Sequence, residues 1–188
     1  MTAFDFDAAL RWVRLDARRT LARRADGELP FVDASRIGGQ GLLLDTCVYI
    51  DQMQDRTPQL LDDLIARRQV NHSTVAIQEM MHTVGALQPT DTRTGAVVAE
   101  IRKQIAAMPP HRIFTPDAEV LGRAALLSGA LCRLRSYQKD GRLRALQDCV
   151  LFLQARKLGL VVLTANIGDF DLLLQLVPTG RALFYRRK

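Results

Sequence analysis

Four carboxylates stand at wide intervals in this sequence, Asp45, Glu79, Asp148 and Asp169, each where a charge is not expected. Asp45 closes the run GLLLD, directly after Leu42, Leu43 and Leu44. Such a run reads as a short strand buried on both faces. A carboxylate at its end costs several kcal/mol to desolvate unless something pairs with it. Asp148 shares a helix face with Leu151, Phe152 and Ala155 at about 100° per residue. Glu79 lies among Val75, Ala76, Thr83 and Ala86, with Met80 and Leu87 close by. Asp169 follows a second buried run, LVVLT, in the polar stretch TANIGDFD that also carries Asn166. Like charges gathered in low dielectric repel, and some stay protonated unless a cation balances them. Oxygen donors without a Cys or His cluster suit a hard ion, Mg²⁺ or Mn²⁺.

Taken one at a time, the acids have ordinary readings. Asp45 alone fits a turn residue or N-cap, Asp148 alone a partner for a core arginine, and Glu79 alone a solvated helix position. Asp171 reads as a first-turn acid of a helix DLLLQL, with Asp169 better placed for a site. His72, His82 and His111 are scattered, lack ligand spacing, and read as ordinary surface or core residues. The set of acids, in this order on these elements, is what points to a metal centre.

The elements that must position them alternate in type. After the first strand, Pro58 fits the first turn of a helix through PQLLDDLIARRQ. RQVNHSTVAIQEMMHTVGAL predicts a brief strand, a cap at Ser73 or Thr74, and a helix to about Leu87. Residues 92–107 predict a helix stopped by Pro109 and Pro110, and HRIFTPDAEV a short strand, then a helix with Asp117 in its first turn, reaching Leu134. SYQKDGR reads as a loop, RALQDCVLFLQARKLG as an amphipathic helix capped at Gly159, LVVLTAN as a strand, and VPTGRALFYRR as a last strand. This order predicts an α/β domain with a mainly parallel sheet, whose ligands sit at the carboxyl ends of the strands. Asp45 and the TANIGDFD segment leave the sheet at that same edge.

Upstream, residues 3–24 space Phe6, Leu10, Val13, Ala17 and Leu21 as one face of a helix, with arginine opposite. DGELPFVDASRIGGQG reads as a connector. The boundary therefore falls near residue 40, giving an N-terminal helix and connector over 1–39 and the main domain over 40–188.

Composition narrows the function classes. At 188 residues with 48% hydrophobic content, the chain is one ordinary domain with a real core rather than a disordered one. It has no 18-residue apolar run, so no membrane span is expected. The opening MTAFDFDAAL has no basic stretch of a secretory leader, and three cysteines form no C-x-x-C pair, which together suit a reducing cytoplasm. A net charge of +6 and a pI near 9.7, mostly from arginine, suit a polyanionic partner.

The segments LLLDTCVYID, STVAIQEM and LQDCVLFLQARKLGLVVLTANIGDF together resemble the PIN-domain nucleases, most closely the VapC-type toxins of bacterial toxin–antitoxin pairs, over roughly residues 41–185. The resemblance implies a PIN-like three-layer α/β sandwich, here with an N-terminal helical extension. It places the family's first acid on Asp45 with its hydroxyl neighbour Thr46, the helix glutamate on Glu79 and the third acid on Asp148. The last motif falls on Thr164, Asn166, Asp169 and Phe170. Two departures stand out: Ala165 replaces a frequently basic residue, and the first 40 residues have no counterpart in a minimal PIN domain. The implied activity is endoribonuclease. One or two Mg²⁺ or Mn²⁺ ions, about 3.5–4 Å apart if paired, would activate water on Asp45, Asp148 and Asp169. Glu79 would complete the shell and Asn166 would orient it. Water attack would leave a 5′-phosphate and a 3′-OH. Arg142 and Arg144, with Arg133 and Arg135 nearby, are candidate phosphate binders. The resemblance further implies a homodimer and a small antitoxin partner.

Two rival functions remain open: a catalytically weak PIN-like module for RNA binding or regulation, and a metal-dependent DNA nuclease. An aspartyl-phosphate phosphatase would need a D-x-D pair after the first strand, and position 47 is Cys47.

Overall fold

Short all-aliphatic runs can be buried on both faces only if helices cover each side of the sheet. The computed structural model, which describes residues 4–12, 21–135 and 139–188, shows that arrangement. Strands β1 (Leu42–Leu44), β2 (Val70–Ser73), β3 (Ile113–Phe114), β4 (Val161–Thr164) and β5 (Ala182–Phe184) form one sheet in the order β3-β2-β1-β4-β5. Every pairing is parallel, with Leu44 opposite Leu163 at the carboxyl end of the central pair.

Alternation along the strands splits the core into two layers. Leu43, Val162, Ala182 and Phe184 face one side, where they meet α6 (Ala118–Arg135), α7 (Lys139–Leu158) and α8 (Ile167–Leu176). Leu42, Leu44, Leu163 and Leu183 face the other, against α2 (Thr46–Met53), α3 (Gln59–Arg67), α4 (Thr74–Ala86) and α5 (Thr94–Ala106). The expected three-layer α/β sandwich is therefore the observed fold.

Several local expectations need correction. The N-terminal helix α1 is only Phe6–Trp12, residues 21–25 are not helical, and 13–20 lie outside the described residues. Of its predicted apolar face, Phe6 and Leu10 are exposed, Leu21 packs against the core, and Val13 and Ala17 lie outside the described residues. On α1, Ala9 is buried and Trp12 lies under the guanidinium groups of Arg123 and Arg156 at 5.2 and 5.7 Å. The predicted loop SYQKDGR is helical from residue 139 onward. A Gly in a helix costs only about 1 kcal/mol, which a 20-residue helix packed along α6 outweighs. Pro58 sits at the N-cap of α3 rather than in its first turn. Asp117 precedes α6, and its carboxylate accepts the N–H of Val120 at 3.0 Å.

The segment before β1 belongs to the sheet as much as it connects to it. Val32 N–H donates to the Phe184 carbonyl at 2.8 Å and Phe184 N–H to Pro30 at 2.9 Å, so residues 30–32 cover the outer edge of β5.

Candidate acidic site

Asp45 is the first residue beyond β1 and the N-cap position of α2, where its side chain makes no capping bond. Its carboxylate turns instead toward β4. Thr164, the last residue of β4 and fully buried, donates its hydroxyl to Asp45 Oδ2 at 2.5 Å. The Cys47 thiol donates to the same oxygen at 3.0 Å. Thr46, one residue into α2, hydrogen bonds through its hydroxyl to Glu79 Oε2 on α4.

The neighbouring half of the site is organised by Asn166, the N-cap of α8. Its N–H donates to Thr164 Oγ1 at 2.8 Å, and its Oδ1 accepts the Asp169 N–H at 3.4 Å. That leaves its amide group to donate to Asp148 Oδ2 at 3.0 Å and Asp169 Oδ2 at 3.1 Å. One amide thereby ties α7 to the first turn of α8.

All four predicted acids, with Thr46, Thr164 and Asn166, thus meet at the carboxyl edge of β1 and β4. The electrostatics are those of crowded, poorly solvated negative charge. Burial, opposed by hydrogen bonds from Thr164 and Cys47, holds Asp45 above the usual carboxylate range. Burial also raises Glu79, with Asp45 adding to the shift and the Thr46 bond opposing it. Asp148 is pushed well up, first by burial and then by the charges of Asp45, Asp169 and Glu79. Arg144 relieves both Glu79 and Asp148 electrostatically. Arg142 lines an open cleft with Ser128, Cys132 and Arg133 of α6.

Other buried acids of this protein are treated differently. Asp51, fully buried, is paired with Arg56 and Arg187 at 2.6 and 2.8 Å and accepts the Tyr185 hydroxyl at 2.6 Å. Asp171, expected as a first-turn acid, is also fully buried and lies past the first turn of α8, where Asp169 stands. It is paired with Arg24 at 2.7 Å and accepts from Gln175 at 3.1 Å. Asp45 has a hydroxyl and a thiol where these two have guanidinium groups.

A divalent cation fits this donor set by charge and by chemistry, since carboxylate oxygens in a region short of positive charge are what a hard ion takes. In the present rotamers, no group of three or more described His, Cys, Asp and Glu residues is arranged to hold an ion. Cys47 is the site residue that residue-type reasoning did not find: besides touching Asp45, its sulfur accepts the Ala165 N–H at 3.3 Å. Nothing in its spacing marks it, because the Ala165 N–H that it accepts lies 118 residues further along the chain. The apolar stripe predicted around Glu79 is half right. Ala76 and Met80 are buried, whereas Thr83 and Ala86 are exposed. His72 is buried against the Tyr49 hydroxyl at 2.7 Å, while His82 and His111 are exposed.

No family model matches the chain, and no curated protein matches its sequence. Solved structures do resemble it. A chain of VapBC2 from Rickettsia felis, bound to a DNA fragment from their promoter, superposes with TM-score 0.53 at 10% identity, covering 78% of this chain and 99% of that one. A chain of FitAcB from Neisseria gonorrhoeae gives TM-score 0.52 at 19% identity over 77% and 96%. A chain of DNA-bound VapBC from Salmonella typhimurium gives 0.50 at 16% over 77% and 97%. At these identities the likeness is one of fold, and that PIN-like α/β fold agrees with the resemblance carried by the motifs.

Proposed function

We propose that this chain is a Mg²⁺- or Mn²⁺-dependent endoribonuclease and the toxin of a toxin–antitoxin pair. The observation that supports this most is the crowding of poorly solvated acids at one edge of the sheet, offset in part by Arg144. Asp45, Glu79 and Asp148 are all driven toward the neutral form by burial, with the charge of Asp45 adding to the shift of Glu79 and the charges of Asp45, Asp169 and Glu79 to that of Asp148. Elsewhere the same fold pairs its buried acids with arginine. A site built this way is completed by a cation from solution.

Asp45, Asp148 and Asp169 would hold the ion, with Glu79 completing the set. When bound, it supplies a water of lowered pKa and offsets charge on a leaving oxygen. The surrounding residues serve the ligands. Thr164 and Cys47 fix Asp45 Oδ2, Asn166 fixes Asp148 against Asp169, and Thr46 holds Glu79. Arg144, exposed beside the acids, would meet a substrate phosphate. Water attack needs no histidine: His72 is bonded to the Tyr49 hydroxyl, and His82 and His111 are exposed. Hydrolysis by water then leaves a 5′-phosphate and a 3′-OH.

The antitoxin partner and a homodimeric state come from the toxin resemblance, as does a cytoplasmic location. Among the described residues, no helix is long and apolar enough to cross a membrane. The test incubates purified wild type and Asp148→Asn with total cellular RNA, with Mg²⁺ and with EDTA, beside matched RNA and DNA strands. Cleavage of RNA by wild type alone, abolished by EDTA and giving 5′-phosphate ends, is the expected result. Equal or faster cleavage of the DNA strand would make it a DNA nuclease. Metal-dependent stabilisation of folded protein without cleavage of either strand would make it a binding module.

A further inference from the structure

The opposite, amino-terminal edge of the sheet holds a cavity of about 410 Å³ that the acidic site does not use. Three arginines line it: Arg36 from the turn before β1, Arg68 between α3 and β2, and Arg181 just before β5. Its floor is aliphatic, with Pro30, Leu174 and Leu183 among the residues beneath them. No carboxylate lines it. Asp33 pairs with Arg36 at 3.2 Å from outside the lining.

Arg68 is the informative member. Its Nε is buried and has no hydrogen-bond partner among the described residues, a costly condition for a guanidinium donor. The chain makes room for that guanidinium: Gly39 takes φ +135°, and a Cβ there would collide with the Arg68 side chain. Gly39 and Arg68 thus stand against each other at the cavity, with Arg68 Nε left without a partner among the described residues. Three guanidinium groups over an aliphatic floor are complementary to an anion with an organic body, and arginine forks match phosphate oxygens two at a time. The volume lies in the range of small-molecule sites.

We propose that this cavity is a binding site for a small phosphate ester of mononucleotide class. Its phosphate sits among Arg36, Arg68 and Arg181, and its organic part rests on the aliphatic floor. The site is separate from the acids. Strands of three or four residues put roughly 10 Å between the two edges of the sheet.

Calorimetric titration of the full chain in EDTA tests this, because chelation removes any phosphate binding through metal at the acids. The probes are AMP, adenosine and inorganic phosphate, and the proteins are wild type, Arg68→Met and Arg181→Met, each checked for native circular dichroism. AMP should bind wild type, with inorganic phosphate weaker and adenosine absent. Either substitution should weaken AMP at least about tenfold, the loss of one charge-assisted hydrogen-bonding group. Should Arg68→Met fail to fold, the exposed Arg181 still decides the matter. Absence of AMP binding at millimolar concentration, inorganic phosphate binding as tightly as AMP, or an affinity unmoved by the substitutions would each overturn the proposal. Failure of RNA cleavage would leave it untouched.

Discussion

The Thr164 hydroxyl donates to Asp45 Oδ2 at 2.5 Å and accepts the Asn166 N–H at 2.8 Å, so one buried side chain joins the ends of β1 and β4 to the cap of α8. Thr164→Val keeps the shape and removes both bonds. It leaves the half-buried Asn166 N–H and the buried Asp45 carboxylate each short of a partner, a cost of about 1–3 kcal/mol per group. Urea unfolding should show that loss for Thr164→Val and little loss for Thr164→Ser, with cleavage following the same order. A valine variant as stable and active as wild type would remove Thr164 from the site.

The raised carboxyl groups fix the sign of a pH effect. Asp45 and Asp148 move up from an ordinary 3.8 and Glu79 from 4.5, so the metal-free folded state binds more protons than the unfolded chain. The contribution of these three groups to stability is then greatest below those ordinary values and declines as pH rises from them through the raised ones. A divalent ion binds the ionised acids and should restore what is lost. Thermal unfolding from pH 4 to pH 8 should therefore show a melting temperature that falls with pH in EDTA, and a gap between Mg²⁺ and EDTA that widens. A constant gap would contradict metal binding at these acids.

The extension should not be dispensable. Arg24 donates to Asp171 through both its backbone N–H at 2.8 Å and its Nε at 2.7 Å, and Gln175 donates to the Ala22 carbonyl at 2.9 Å. Cutting at residue 40 would strip Asp171 of its cation and bare the edge of β5. A chain of residues 40–188 should be aggregation-prone or markedly less stable in urea unfolding. Arg24→Ala in the full chain should cost about 3 kcal/mol, the lower end for breaking a buried pair because Arg24 is one-third exposed. A truncated domain as stable as the full chain would restore the boundary expected from the glycine-rich connector.

The strands and the meeting of the acids were readable because they rest on local rules. Leu42–Leu44 and Val161–Thr164 are too short and too apolar to be anything but interior strands, and parallel sheets release their ligands at one edge. The misreadings share a different cause, in that tertiary contacts decided them. Phe6 and Leu10 form a correct helical stripe, yet Trp12, lying under Arg123 and Arg156, and Ala9 set which side of α1 faces the protein. The burial of Asp171 gave no signal because Arg24, its cation, lies 147 residues away. Asp51 gave no signal for the same reason, since Arg187 lies 136 residues further on. Pattern finds a buried acid, but only the fold shows whether an arginine answers it.

That distinction is itself open to measurement. Asp51→Asn weakens a carboxylate held by Arg56, Arg187 and the Tyr185 hydroxyl, so the C-terminal residues lose their anchor to α2. The two arginines are half exposed and can turn to solvent, which keeps the cost near 2–3 kcal/mol. Asp148→Asn instead removes one of several charges that repel each other, and in EDTA at pH 7 it should raise stability. Adding Mg²⁺ should stabilise Asp51→Asn as it does wild type and leave Asp148→Asn unmoved. Urea unfolding of the two variants, with and without Mg²⁺, reads all four values. If both substitutions destabilise the metal-free protein alike, Asp148 is a structural acid of the same kind as Asp51.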